Sequence, residues 1–494
     1  MGRTRSTGPR RQPARAAACA SVALAGPLAL LAAPPAAAGL AAGAGAPGAR
    51  PAAVVVDGAI RHQQIIGFGA SEAFGQAETV MNAPAQVQQR VLSLLYSPAS
   101  GAGLTMLRNE ISADPGITIE PNAPSSPAAR PAYLPLSAVD QDQGQLWFAR
   151  AIKRDYGVTD VFADAWSAPA FMKTNGSQVD GGTLCGVPGA TCASGDWRRA
   201  YASYLAQYAK DYAAAGDPLS YVGPENEANI GPGYDSMIMT PAQTANFLQF
   251  LGPALARSGL RTRAECCATE GWDYAQQYAA AIEADPAADF WTPLFTSHGY
   301  TAPPDSPLSG WAKPVWETEW STFQAWDPAW DDGSTASGLT WAQHIYTGLT
   351  AADLNAFLYW WGSTTPSENG DNEGLVEIQP DGTVAASGRL WAFAGYSRFV
   401  RPGAVRIGAS TADGSLEVTA FRNVGGSIAV VVLNTAADAQ TATFRLRHAG
   451  GVLALPYLTD SGHAVAAQPA IPLARGSFTA TLPPRSLVTY DIRP

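Results

Sequence analysis

The chain has 494 residues, 47% hydrophobic and 10% aromatic, a composition that supports a large core and lies far from the disordered class. Its net charge of −10 argues against a nucleic-acid partner, which needs a basic surface. No stretch beyond the leader is long and apolar enough to span a membrane, so no membrane partner is expected either.

In chain order, Arg3, Arg5, Arg10, Arg11 and Arg15 precede an apolar Ala/Leu/Val run, and Ala36-x-Ala38 offers a cleavage site before Gly39. Residues 1–38 therefore read as a secretion signal and the protein as extracellular. Removing them deletes five arginines and no acid, which leaves 26 basic against 41 acidic residues, a balance of −15. A Gly/Ala/Pro linker follows (39–52), then a strand at 53–64 that is expected to join a C-terminal β-domain.

From 65 to 399 short apolar runs alternate with helical stretches. The runs are "IIGFGASEAF", "LTMLRNEIS", "VTDVFADAWSAP", "SYVGPENEAN", "RTRAECCATEGW", "WTPLFTSHGY", "PVWETEWS" and "AFLYWWGST". Between them, 196–214, 241–258, 273–284 and 338–353 carry apolar residues at three- and four-residue spacing. In the first of these, Tyr201, Tyr204, Leu205 and Tyr208 form one stripe, with Ser194 or Asp196 as cap. Eight strand-then-helix units predict a (β/α)8 TIM barrel. From 400 to 494, "LEVTAFRN", "SIAVVVLN", "TATFRLRH", "FTATLPP" and "LVTYDIRP" alternate with period two, so this part reads as a β-sandwich side domain. Packing against the barrel is its default role.

Four cysteines lie outside the leader. Cys185 and Cys192 flank a short Gly/Pro loop and read as a disulfide in an oxidising compartment. The adjacent Cys266 and Cys267 are consistent with either a vicinal bridge or two buried thiols. His62, His298, His344, His448 and His463 are scattered, so neither a metal nor another cofactor is expected.

"YVGPENEANI" (221–230) and "PVWETEWS" (314–321) each hold two glutamates two residues apart, ending the fourth and seventh runs. Functional groups of such barrels gather at the carboxyl ends of the strands, so both motifs can face one mouth. Two carboxyls there suit a retaining glycosidase, one protonating the leaving oxygen and one attacking the sugar. Residues two apart on a strand point the same way, so spacing does not choose within either pair. Glu72 and Glu270 end other runs and are assigned no chemistry beyond lining a cleft. Lys173, Thr174 and Asn175 either touch substrate or cap a turn. Trp272, Trp326 and Trp330 either extend a sugar platform or cover apolar surface.

Taken in order, "GFGASEAFG", "WSAPAFMKTNG", "NE" at 226–227, "SHGY", "WETEWS" and "LYWWGS" resemble glycoside hydrolase family 30 of the retaining clan, over nearly all of the chain after the leader. The resemblance implies Glu227 as acid/base, Glu319 as nucleophile, and Asn226 on the 2-hydroxyl of the sugar being cleaved. It further implies Tyr300 hydrogen-bonding the nucleophile, His298 lining the mouth, and Arg108 keeping the nucleophile ionised. Trp166 and Trp361 fall on sugar-stacking positions, and Trp360 is expected in the barrel wall or helix layer. "LCGVPGATCASGDWRRAY" and "GFGASEAFG" look most like the fungal-type xylanases, which implies a monomeric endo-acting enzyme on xylan or glucuronoxylan. Family members that read a glucuronic acid branch use a basic loop residue. "ASEAFGQAETV" and "STTPSENGDNEG" contain none, which implies weak dependence on that branch. β-1,6-galactan, β-1,6-glucan, glucosylceramide, release of short products from a chain end, and a non-catalytic sugar-binding role stand as alternatives.

Overall fold

The computed structural model describes residues 51–136, 142–366 and 374–494. The expected signal and residues 39–50 of the linker lie outside the described residues.

β1 (Ala52–Gln64) comes first, and the barrel follows: β2 (Gly67–Ser71), β3 (Met106–Ile111), β4 (Asp160–Ala165), β5 (Tyr221–Gly223), β6 (Arg263–Ala264), β7 (Cys266–Thr269), β8 (Phe295–His298), β9 (Val315–Glu319) and β10 (Ala356–Thr364). The sheet order is β6-β5-β4-β3-β2-β10-β9-β8-β7, with parallel pairing along that path. β6 and β7 are one stave interrupted at Glu265, and that joint closes the ring. The eight expected runs are thus the eight staves of a TIM barrel. Met106, Phe162, Leu294, Trp316, Ala356 and Leu358 plug its interior, as the fold requires when the barrel is a packed core rather than a pore.

The main helices are α1 (Gln76–Asn82), α2 (Ala85–Tyr96), α3 (Gln145–Tyr156), α4 (Arg198–Ala214), α5 (Pro241–Arg257), α6 (Trp272–Glu283), α7 (Pro286–Trp291), α8 (Gly338–Thr350) and α9 (Gly388–Ser397). The stripe on α4 is buried as its spacing predicts. The N-cap position falls on Trp197, whose indole N–H donates to Ser194, while Asp196, one of the two expected caps, accepts the Arg198 backbone N–H of the first turn at 3.1 Å and also forks with the Arg198 guanidinium.

A hairpin, β11 (Gly374–Ile378) with β12 (Val384–Ala386), extends β10. The C-terminal sheet comprises β13 (Val405–Thr411), β14 (Leu416–Arg422), β15 (Ile428–Asn434), β16 (Gln440–Arg447), β17 (Leu453–Asp460), β18 (His463–Ala467), β19 (Ile471–Pro472), β20 (Ser477–Leu482) and β21 (Ser486–Arg493). Its order is β18-β17-β21-β15-β14-β13-β1-β16-β20, with β1 antiparallel to β13 and parallel to β16. Phe444 on β16 and Tyr490 on β21 are far apart in that order, yet their rings lie 5.0 Å apart. The sheet therefore folds over its own core as a sandwich. It meets the barrel through α8, α9 and the loop before α8: Thr489 donates to Gly395 O on α9 at 2.6 Å, and the loop residue Trp330 donates its indole N–H to Arg485 O at 2.7 Å.

Both cysteine pairs are bonded. Cys185–Cys192 closes the loop before α4, and Cys266–Cys267 forms the vicinal bridge rather than two thiols.

Candidate active site

At the mouth of the barrel the carboxylate oxygens of Glu227 and Glu319 lie within 4.8 Å of one another, and a His298 nitrogen shares that sphere. A separation below 4.8 Å is too short for a water to stand between two working carboxyls, and fits direct attack on a sugar by one of them. Glu227 belongs to the turn after β5 and has a left-handed φ of 48°. Its backbone N–H is held by Ala268 O at 2.7 Å.

The within-pair alternation expected from the sequence fails at both motifs. On β9, Ser297 pairs with Glu317 and His298 with Glu319, so Thr318 is an extra residue that reverses the side on which the next residue projects. β5 ends at Gly223, so alternation does not reach Glu225 and Glu227 at all. Glu225 is fully buried and accepts the Thr244 hydroxyl at 2.9 Å; Glu317 is fully buried and accepts the Trp272 indole N–H at 2.6 Å. Burial raises both far above the carboxylate range. They are structural acids. Glu225→Gln and Glu317→Gln are expected to keep activity within about tenfold of the parent, since a buried neutral acid and an amide make comparable hydrogen bonds. Initial rates on the preferred polysaccharide check this.

Arg108, fully buried on β3, organises the floor. Its Nε donates to Asp164 at 2.6 Å, its Nη2 to Asn226 Oδ1 at 2.6 Å, and its Nη1 to Glu319. Tyr300 donates to the other Glu319 oxygen at 2.8 Å. Burial raises the Glu319 carboxyl above its usual value, while the Arg108 guanidinium opposes the rise. The Glu227 carboxyl is pushed up to about 7, first by burial, then by the nearby charge of Glu270, with only weak relief from Arg108. His298 Nδ1 sits 3.0 Å from Glu227 and Nε2 3.7 Å from Glu319, and burial lowers this imidazole to about 4. It stands neutral between the two acids. The same three residues have donor atoms close enough to suit an ion, but a guanidinium on Glu319 opposes a second cation there.

Aromatic walls stand over this floor. The Arg108 guanidinium lies 4.6 Å from the centre of the Trp166 ring, and Phe74 packs edge-on against Trp166, Trp360 and Tyr234. Trp360 does not enter the helix layer as expected. A register shift between Tyr359 and Trp361 on β10 makes it the extra residue, so it joins Trp166 at the mouth with Trp361 stacked on it at 5.1 Å. Two rings at the rim are solvent-exposed: Tyr234, whose hydroxyl reaches Glu227 at 3.4 Å, and Phe323, stacked on Tyr300 at 5.2 Å.

All the residues anticipated for the site (Arg108, Trp166, Asn226, Glu227, His298, Tyr300, Glu319 and Trp361) come together here. Others do not. Glu72 is a buried acid bonded to Ser363 and raised to about 8 by burial, not a cleft residue. Glu270, by contrast, does reach the site as expected of a cleft-lining acid: it is half-buried beside Glu227, whose carboxyl its charge pushes up, and accepts from Asn229 Nδ2 at 2.9 Å. Lys173 is buried and staples Ser167 to the Ser236 carbonyl, Asn175 caps its own turn, and Thr174 accepts the Thr183 N–H. Trp272 and Trp330 are buried structural rings, and Trp326 lies beside Arg389. The sequence reading missed Phe74, Asp164, Tyr234 and Phe323. An acid inside the apolar run "VFADAW" was a usable signal for Asp164. The loop aromatics carried none.

Comparison with known proteins agrees with this geometry. Residues 134–303 match the family described as "O-Glycosyl hydrolase family 30", and 403–490 match the "Glycosyl hydrolase family 30 beta sandwich domain". The structure is similar to the catalytic domain of GH30 xylanase C from Talaromyces cellulolyticus, at TM-score 0.82 and 40% identity, covering 90% of this chain and 100% of that one. An endo-1,6-β-D-glucanase of Aspergillus fumigatus is 26% identical, over 80% of this chain and 83% of its own. A glucuronoxylanase of Bacillus subtilis is 22% identical, over 67% and 74%.

Proposed function

For a chain that belongs to glycoside hydrolase family 30, we propose a secreted, endo-acting β-1,4-xylan hydrolase that works with retention through Glu319 and Glu227. The observation that carries the reading is the pair of carboxyls within 4.8 Å in unlike surroundings. Glu319, in contact with Arg108 and Tyr300, attacks the anomeric carbon. Glu227, raised to about 7, gives its proton to the glycosidic oxygen as that bond breaks. The leaving sugar departs neutral and the glycosyl group is held as an ester on Glu319. Glu227, now a carboxylate, takes a proton from water, which attacks the same carbon and frees Glu319. Asn226 accepts from Arg108 through Oδ1, which leaves its amide N–H groups to donate to a sugar 2-hydroxyl.

Xylan is favoured by the 40% identity to a xylanase over 90% of the chain. The weaker likeness to an endo-1,6-glucanase keeps β-1,6-glucan as the second reading. Secretion is supported by the basic-then-apolar leader and by two disulfides. The test is incubation with glucuronoxylan, arabinoxylan, β-1,6-glucan and β-1,6-galactan, with sizing of products. A broad early spread of xylo-oligosaccharides from both xylans is expected. Cleavage confined to β-1,6-glucan selects the second reading, a single short product replaces endo with exo action, and binding without cleavage of any substrate favours a sugar-binding protein.

A further inference from the structure

Below the nucleophile lies a carboxyl pair that this chemistry does not use. Asp164 on β4 accepts the Arg108 Nε–H through Oδ2. Glu265, the joint between β6 and β7, accepts the Thr296 hydroxyl through Oε2 at 2.5 Å. Their remaining oxygens, Asp164 Oδ1 and Glu265 Oε1, are buried and meet no donor among the described residues. They converge over Gly223, where a side-chain carbon would come within 1.8 Å of Glu265 Oε1 and 2.1 Å of Asp164 Oδ1. Glycine at 223 leaves the room in which the two oxygens approach each other.

Two bare carboxylate oxygens cannot share a space that small and dry. Like charges at such range force one group to keep its proton, and that proton then supplies the missing hydrogen bond. The groups facing Glu265 are Asp164 from β4, Thr296 from β8, Arg108 from β3 and Tyr221 from β5. The one cation among them is already bonded to Asp164 and Glu319. We infer that Glu265 is a neutral carboxylic acid donating to Asp164 Oδ1, and that it is a positioning residue acting on the nucleophile through Asp164 and Arg108.

The inference rests on Glu319 as nucleophile. The relay runs from the Thr296 hydroxyl to Glu265, Asp164 and Arg108, and ends on Glu319 and Asn226. Asp164 fixes Arg108 at Nε, so both Nη groups are aimed at the residues that touch the sugar. A neutral Glu265 steadies Asp164 without adding a charge. An ionised Glu265 would draw Arg108 away from Glu319 and leave a surplus negative charge under the site.

Glutamine is the mimic of the protonated acid here, since its amide N–H can donate to Asp164 while its carbonyl accepts from Thr296. Glu265→Gln is expected to stay within about threefold of the parent in kcat/KM, whereas Glu265→Leu, which can do neither, loses about 10²-fold by displacing Arg108. In Glu265→Leu the rate of covalent inactivation by a 2-fluoro glycoside with an activated leaving group should fall as well, because that step needs the nucleophile and not the acid. A Gln variant as impaired as the Leu variant, with unchanged thermal unfolding, overturns the proton assignment. An unimpaired Leu variant overturns the positioning role. Infrared difference spectra of parent minus Glu265→Gln read the proton without catalysis: loss of a protonated-carboxyl band is expected, and loss of a carboxylate band refutes it. If Glu319→Gln stays active in the same assays, the nucleophile reading fails while the infrared result still decides the state of Glu265.

Discussion

Replacing Glu319 by glutamine is expected to lower kcat on the polysaccharide by at least about 10⁴-fold while oligosaccharide binding remains measurable by calorimetry. The amide occupies nearly the same volume; its one carbonyl oxygen can still accept from Arg108, while its NH2 donates to the Tyr300 hydroxyl oxygen in place of the bond Tyr300 now makes. It cannot form the covalent ester, so the loss falls on chemistry and not on affinity. Binding should even tighten slightly where Glu319 repels polar sugar oxygens. A variant that hydrolyses as fast as the parent sinks the nucleophile assignment. The neighbouring Glu317→Gln, two residues away, serves as the control for a merely structural acid.

The second large effect concerns Glu227. Its folded pKa of about 7 lies above the ordinary glutamate value, so it keeps its proton at mildly acidic pH and loses it as pH rises through about 7. The first chemical step needs that proton, and kcat/KM should therefore fall on the alkaline side of about 7. Glu319 must be ionised for the same step, so the acid limb reports its titration, displaced upward by burial against Arg108. Glu227→Gln is expected to cost about 10²–10⁴-fold on xylan, where the leaving sugar is a poor one. It should also erase the alkaline limb. On an aryl glycoside with an acidic phenol, the first step needs no proton and survives. The second step still lacks its base, so a burst of phenol followed by slow turnover is the expected trace. Equal losses on both substrates would instead indicate a positioning role for Glu227.

Architecture and reacting residues were legible for different reasons. Period-two and period-3.6 patterns are local, and they mark the eight staves, the long helices and the sandwich strands directly. The charged residues of the floor were legible because an acid or an arginine in an apolar run is conspicuous, as at Arg108, Glu227 and Glu319. What misled was alternation along the strand. The extra residues at Thr318 and Trp360 each reverse a face, and a bulge is set by how two strands pair, which neither strand's sequence states alone. Alternation alone makes Glu317 and Glu319 equivalent and sends Trp360 into the barrel wall or helix layer. Tyr234 and Phe323 reach the cleft from irregular loops, where no period exists to read. The choice of Glu227 and Glu319 within their pairs came from the resemblance, and the two register facts supply its physical basis.

β1 has one further consequence, for the order in which the chain assembles. This strand is made before any barrel stave, yet its two partners, β13 and β16, belong to the last quarter of the chain. Its apolar residues Val54 and Val56 have no other sheet to enter, so during synthesis they wait exposed while some 340 intervening residues emerge. A ribosome-bound chain stalled before residue 400 should consequently hold a protease-sensitive N-terminal segment beside a resistant barrel. It would also be more prone to self-association than the finished protein.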